Sequence, residues 1–329
     1  MFKLDHRDGP WPLIDLIDID SDSLATVAPG RGGLVTRWKA RSREMLFLDE
    51  ETFADASKNV RGGIPVLFPS PGKLTGDHWK QGAHEGNLKQ HGFARQLPWR
   101  VVSEGTAGEA SVTLGLESSE VTRVDYPYDF EAQYRIALRG SSLLLTFHLT
   151  NKGKEPMPFA LGLHPYFAVT QDRKAHITVE TEARRAFDNV TKQEVPYQKL
   201  DLGGDEVDLH LLDHGASRAA MHGPHGRLAL EGSPEFTHWV VWTLPGRDFV
   251  CLEPWTAPAD ALNTGKGLVQ VEPGQTHTLM MTLRFEPAEP AQEGNTGGDA
   301  GGTSKPPVPS PEQGDPVGGD RPGGGESKG

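Results

Sequence analysis

Ala132-Gln-Tyr-Arg-Ile-Ala-Leu-Arg139, then Gly140-Ser141, then Ser142-Leu-Leu-Leu-Thr-Phe-His-Leu-Thr150 is the stretch on which the fold class turns. Two runs rich in apolar, β-branched and aromatic residues flank a two-residue link, and the glycine in that link tolerates the positive φ that a tight antiparallel turn requires. The stretch predicts a β-hairpin. Outward from it, shorter runs of the same kind recur at Ser111–Glu117, His176–Thr181, Arg227–Glu231, His238–Leu244 and Thr276–Phe285. No long segment sets apolar residues at helical spacing between capping signals, and the nearest helix candidate is the short polar segment Glu50–Lys58. Many short strands and little helix predict an all-β chain: a large antiparallel β-sandwich with minor helix, in preference to a parallel α/β sheet.

The 329 residues, 36% of them hydrophobic, suffice for a substantial core. From Pro287 onward the chain is rich in Pro, Gly, Ser and acids and has no aromatic residue, Leu or Ile, so it cannot bury enough surface to offset its ordering entropy. Residues 1–286 are therefore expected to form the domain and 287–329 a disordered tail. A formal net charge of -12 argues against a nucleic-acid partner, which would need clustered Lys and Arg against phosphates. The single cysteine, Cys251, excludes an internal disulfide framework and a Cys-only zinc site, which makes a cytoplasmic location the expectation. Acids and prolines at Asp5, Asp8, Pro10 and Pro12 interrupt what a signal peptide would need, and no run approaches the ~18 apolar residues of a membrane span. No membrane partner is expected, and the composition sets no oligomeric state.

Four segments place titratable residues among glycines and apolar side chains: Arg61-Gly-Gly-Ile-Pro, His91-Gly-Phe-Ala-Arg95, Gly162-Leu-His164-Pro-Tyr-Phe and Cys251-Leu-Glu253-Pro-Trp. Charged groups held among apolar neighbours concentrate at functional sites, because burial without a partner is otherwise selected against. His164 follows the apolar run Phe159–Leu163, and Pro165 restricts it to extended geometry. It reads either as a positioned acid or as a core histidine bonded to a carbonyl. Glu253 ends the strand-like Phe249–Leu252 and reads either as a base or as a carboxylate paired to a buried arginine. Arg61 and Arg95 could each present a planar fork to hydroxyls or a phosphate.

Taken in order, these motifs resemble the aldose 1-epimerase family, also called galactose mutarotase-like, and within it the bacterial branches related to hexose-6-phosphate mutarotases. The resemblance runs from about Arg31 to Phe285. It implies an extended antiparallel β-sandwich that opens and closes pyranose rings with no metal or nucleotide cofactor. It further implies that His164 protonates the ring oxygen as general acid, that Glu253 removes the anomeric hydroxyl proton as general base, and that His91 is a second active-site histidine near the ring oxygen. Asp208, in Val207-Asp-Leu-His-Leu, resembles a substrate-binding aspartate. Galactose mutarotases carry Asn-Arg where this chain has Arg61-Gly-Gly, and Arg61 and Arg95 match basic residues of the phosphosugar branch, so the implied partner is a small sugar or sugar phosphate. Lys73, Lys80 and Lys89 in the polar stretch 71–90 are either phosphate ligands or solvated lysines.

Opening a hemiacetal needs a proton taken from O1 and one given to O5, and closure returns both, so one acid and one base suffice. A metal site at His78, His84, His91 and Glu85 is disfavoured, since the spacing matches no zinc pattern and Gly76, Gly82 and Gly86 point to a flexible loop. The alternative function is a noncatalytic carbohydrate-binding β-sandwich in which Trp239, Trp242 and Trp255 stack on sugar rings; it needs neither His164 nor Glu253. A polysaccharide lyase with Tyr166 as base fits the His/Glu pair less well.

Overall fold

The computed structural model describes residues 1–198 and 200–288. The hairpin forms as read: Phe130–Arg139 pairs with Ser142–Asn151, Arg139 opposite Ser142, and Gly140 takes φ 58°. Along Ser142–Asn151 burial alternates, with Leu143, Leu145, Phe147 and Leu149 facing the core, the period-two pattern of a strand with one wet face.

These two strands are central members of an eight-stranded antiparallel sheet. Its order is Thr178–Glu180, Arg218–Gly223, Gly226–Gly232, Thr276–Pro287, Ser142–Asn151, Phe130–Arg139, Ala110–Glu117 and Arg100–Gly105. The last described strand thus lies in the middle of the sheet, between strands that end 125 and 44 residues before it begins, as Thr276 follows Asn151 and Gly232. A second large sheet runs Gln193–Pro196, Arg185–Asp188, Val207–Leu211, His238–Thr243, Phe249–Trp255, Gly162–Leu163 and Val66–Leu67, with Tyr166–Ala168 also paired to Phe249–Trp255. Leu143, Leu145 and Phe147 of the first sheet share one apolar cluster with Leu209, Leu211, Trp239, Val241, Val250 and Leu252 of the second, which makes the predicted sandwich.

Five strands between Phe2 and Glu44, paired in sequence order, form a further sheet whose Ile14, Leu16, Val27 and Trp38 join the same core. Sequence reading did not anticipate it. Helix is minor, as expected: the segment expected at Glu50–Lys58 is helical over Glu50–Ala54, where the Asp49 side chain accepts from Thr52 N at 3.0 Å. A second short helix, Glu120–Asp125, is set by a Ser119/Thr122 capping box. The strand expected from His176 starts at Thr178, because Gln171–His176 forms a 3₁₀ turn. The stretch around His78 and Glu85, expected as a flexible loop, is a two-stranded ribbon, His78–Gln81 with His84–Asn87. The final strand continues to Pro287, and the tail reading concerns, from 289 on, residues outside those described. Among the described residues no helix is long and apolar enough to cross a membrane.

Phe68, fully buried, ties the layers together. Its ring meets Phe93, Tyr126, Phe130, Phe147 and Phe159 at centroid distances of 5.3–6.0 Å, so residues of the first sheet and of the loops above it converge on the end of Val66–Leu67. Phe68→Ala is expected to lower the unfolding free energy by about 3–5 kcal/mol, read as a lower urea midpoint with an unchanged denaturant slope.

Candidate active site

Strand Phe249–Trp255 is buried along its whole length, so both of its faces are covered. Val250 and Leu252 point into the apolar core, and alternation sends Phe249, Cys251, Glu253 and Trp255 to the opposite face. The register then assembles the site. Gly162 pairs with Trp255 and Tyr166 with Cys251, so the register carried across the break at Pro165 sets His164 opposite Glu253. On the other side Val240 pairs with Glu253 and His210 with Val240, while Asp208 pairs with Trp242 and Trp242 with Cys251. One sheet face thus carries His164, Glu253, His210, Tyr166, Trp242, Asp208 and Trp255 at the floor of a cleft.

His164 Nε2 lies 3.5 Å from Glu253 Oε1, and Trp255 Nε1 donates to Glu253 Oε2 at 3.2 Å. The His164 ring stacks on Tyr166 at 4.6 Å and meets Trp242 edge-on at 5.6 Å, which fixes its plane. His164 Nδ1 is buried with no hydrogen-bond partner among the described residues, so the carbonyl-bonded core histidine is not what the fold builds. Nor is Glu253 bonded to an arginine: Arg95 acts on it through charge alone. Burial is the chief influence on both groups. It pushes the Glu253 carboxyl well above its ordinary 4.5, with Asp208 adding to the rise, and it holds the His164 imidazole down at about 3, with the Arg95 charge assisting.

His91 comes from a different element, a loop pinned to Phe68. Gly92 takes φ 67°, and a Cβ there would stand 2.2 Å from the Phe68 carbonyl oxygen, which accepts from Phe93 N and Ala94 N. His91, itself at φ 72°, exchanges two bonds with Gly72: its own N–H donates to Gly72 O at 2.8 Å, and Gly72 N–H donates to His91 Nδ1 at 3.0 Å. With Nδ1 occupied as an acceptor, the neutral ring carries its hydrogen on Nε2. Burial, then the His164 and Arg95 charges, keep the His91 pKa well below 6.5. The two histidine rings lie 5.6 Å apart.

The cleft, about 330 Å³, is at the small end of the ~300–1,000 Å³ of ligand pockets. All six residues singled out from the sequence line it: Arg61, His91, Arg95, His164, Asp208 and Glu253. Arg31 fixes the approach to Arg61 by donating to the carbonyls of Thr52, Phe53, Asp55 and Lys58. Arg95 donates through Nη2 to Gln90 O at 2.9 Å, and its buried Nε has no partner among the described residues. Lys73 also lines the cleft, whereas Lys80 pairs with Glu85 at 3.2 Å and Lys89 is exposed.

Sequence reasoning gave no role to Asn59, Asn189, His210 or His238. Asn189 donates to Asp208 Oδ2 at 2.7 Å and so aims the carboxylate. His210 is 3.8 Å from Asp208 through Nε2 and 3.0 Å from buried His238 through Nδ1. Strand alternation from Asp208 to His210, and from His238 to Trp242, was the available signal. Of the three tryptophans named as sugar stackers, Trp242 and Trp255 line the cleft, but Trp239 faces the core.

The family model for aldose 1-epimerases matches residues 15–284. A Cenchrus ciliaris protein provisionally named glucose-6-phosphate 1-epimerase is 28% identical over 64% of this chain and 65% of its own length. An Escherichia coli K12 protein with the same provisional name is 28% identical over 50% and 52%. The chain therefore spans between half and two thirds of the length of these two curated relatives. The crystal structure of the Slr1438 protein from Synechocystis sp. PCC 6803 superposes with a TM-score of 0.82 at 36% identity, over 85% of this chain and 97% of that one. A galactose mutarotase-like protein from Clostridium acetobutylicum, at 17% identity, shares the fold with a TM-score of 0.75 over 87% and 99%.

The raised Glu253 pKa has a consequence for stability. A carboxyl whose folded pKa exceeds its unfolded value contributes stability that is complete below about pH 4.5 and is lost as pH rises through the folded value. Glu253→Gln, which cannot ionise, is therefore expected to melt at a higher temperature than the wild type at neutral and alkaline pH. Thermal melts across a pH series should show the gap widening as pH rises and closing below about 4.5.

Proposed function

We propose that this chain, which belongs to the aldose 1-epimerase family, is a mutarotase interconverting the α and β anomers of a hexose 6-phosphate, with His164 and Glu253 as its acid and base. The observation that carries the reading is the buried pair itself, an imidazole and a carboxyl 3.5 Å apart with opposed pKa shifts. A protein that only binds sugar has no use for an acid and a base held together in a desolvated cleft.

Between them the two groups hold one proton in the working state. The neutral and ionic forms differ only in where that proton sits, so a bound sugar whose O1–H and ring oxygen bridge them selects the ionic form. Glu253 then takes the O1 proton as His164 gives one to O5, and the C1–O5 bond breaks to leave the open aldehyde. Rotation about C1–C2 turns the other carbonyl face to O5, and reversal of both transfers closes the ring as the opposite anomer. His91, with its hydrogen held on Nε2, serves as a fixed donor to a ring or hydroxyl oxygen. Asp208 and His210 accept sugar hydroxyls, and Trp242 and Trp255 supply apolar walls.

Arg61, Lys73 and Arg95 support a phosphorylated substrate. They place three cationic side chains around a small cleft, one of them with an unsatisfied guanidinium donor. The provisional names of the Cenchrus ciliaris and Escherichia coli relatives point to the same substrate class.

Relaxation of freshly dissolved α-glucose, α-galactose and glucose 6-phosphate, followed by polarimetry or NMR exchange, tests the proposal. Glucose 6-phosphate is expected to relax fastest, and His164→Ala and Glu253→Gln each to lose roughly 10²- to 10⁴-fold. Arg95→Ala should raise KM for glucose 6-phosphate roughly 10- to 100-fold, as loss of a charge-assisted bond predicts, with little change for glucose. Acceleration of free hexoses alone would remove the phosphate assignment. Sugar binding with no acceleration of any of them would favour the noncatalytic carbohydrate-binding reading.

A further inference from the structure

The sheet face that carries the acid and base also carries a thiol for which ring opening has no use. Cys251 lies two residues before Glu253 on the same strand, paired across to Tyr166 on one side and Trp242 on the other. One ring nitrogen of His164, Cys251 Sγ and a Glu253 carboxylate oxygen all lie within 4.8 Å of one another, and all three residues are buried. His164 Nδ1 lacks a hydrogen-bond partner among the described residues.

A tetrahedral zinc ion with bonds of about 2.0–2.3 Å holds its ligand atoms roughly 3.3–3.8 Å apart. Side-chain movements of about 1 Å therefore separate the present arrangement from a three-ligand site. Nitrogen, sulfur and oxygen donors together suit zinc and cobalt(II) and disfavour calcium or magnesium, which take oxygen alone. We propose that His164, Cys251 and Glu253 form an inhibitory site for a thiophilic divalent cation of the zinc class, with the fourth ligand position open to the cleft. This inhibition rests on the reading of His164 and Glu253 as the acid–base pair.

The chemistry balances without a further reactant. The metal takes a lone pair from the imidazole, the thiolate and the carboxylate, and the thiol proton and the proton shared by His164 and Glu253 pass to solvent. Both proton-transfer groups are then occupied, and a sugar reaching for them competes with the metal. Because two protons leave, binding tightens as pH rises. In the metal-free protein, burial pushes the Cys251 thiol pKa well above 9.0 and keeps it protonated and inert.

Two measurements on the full chain test the site. Zinc chloride is titrated into the mutarotation assay, and cobalt chloride binding is followed by thiolate-to-cobalt charge-transfer absorption. The wild type is expected to show the charge-transfer band and chelator-reversible inhibition. Cys251→Ala should keep the metal-free rate and a folded melting profile, lack the band and need roughly 100-fold more zinc, since even outer-shell partners are worth 10- to 100-fold in affinity. Cys251→Ser provides a closer isostere should alanine fail to fold, and it too should lack the band. A wild type without the band would overturn the proposal, and so would alanine and serine variants inhibited at the wild-type zinc concentration, which would place the inhibitory metal elsewhere, for instance at His78 and His84. The cobalt spectrum does not depend on turnover. A band in a chain that accelerates no sugar would therefore retain the metal site and remove the enzymatic reading.

Discussion

A carboxyl group held on a strand covered from both sides is the constraint on which the rest of this site depends. Val250 and Leu252 lock Phe249–Trp255 into the core from one face, so Glu253 cannot move toward solvent to relieve its desolvation. Everything around it then answers to that burial: Trp255 donates to it, His164 faces it across the register, and Asp208 and Arg95 act on it with opposite sign. A half-exposed glutamate at the same position would be an ordinary carboxylate, ionised near its usual pKa and a weaker base.

The histidines divide the labour through their surroundings. His164 has a ring face clamped by Tyr166 and a nitrogen directed at Glu253, so its protonation state follows the pair. His91 is tied at Nδ1 by a backbone N–H, so a second proton would have to displace that bond. One residue type thus appears in two settings, one facing a carboxyl and one tied to the backbone. Arg95, close enough to lower both imidazoles, biases the cleft toward neutral histidine.

Much of this was legible in the sequence where local rules act. The hairpin around Gly140 and the alternation in Ser142–Asn151 rest on turn chemistry and spacing; the four segments stood out as titratable residues among glycines and apolar side chains, Asp208 through the family resemblance alone, and the structure brings all six singled-out residues to one cleft. What stayed hidden depends on partners distant in sequence. His210 and His238 join the site only because Val207–Leu211 pairs with His238–Thr243, and neither histidine has an unusual local setting. Trp239 and Trp242 look alike as residues of one strand, yet their odd separation sends one to the core and the other to the cleft. The amino-terminal sheet escaped because its first two strands are short and the second buries two acids, Asp15 and Asp18, where a strand reading expects apolar residues; Asp15 is held by Arg7 and Thr26 in the folded chain.

The placement of Thr276–Pro287 in the middle of its sheet bears on how the molecule is made. During vectorial synthesis, Ser142–Asn151 and Gly226–Gly232 emerge well before the strand that bridges them, and each presents an unpaired edge in the meantime. The sheet exists as two separate ribbons until nearly the whole domain has left the ribosome. A chain stalled before residue 276 therefore has His164, Glu253 and the other cleft residues already translated but lacks the strand that joins the two ribbons. In such a truncated product the edge of Ser142–Asn151, with Leu143, Leu145 and Phe147 on its apolar face, stays unpaired, the kind of edge that templates association with other chains.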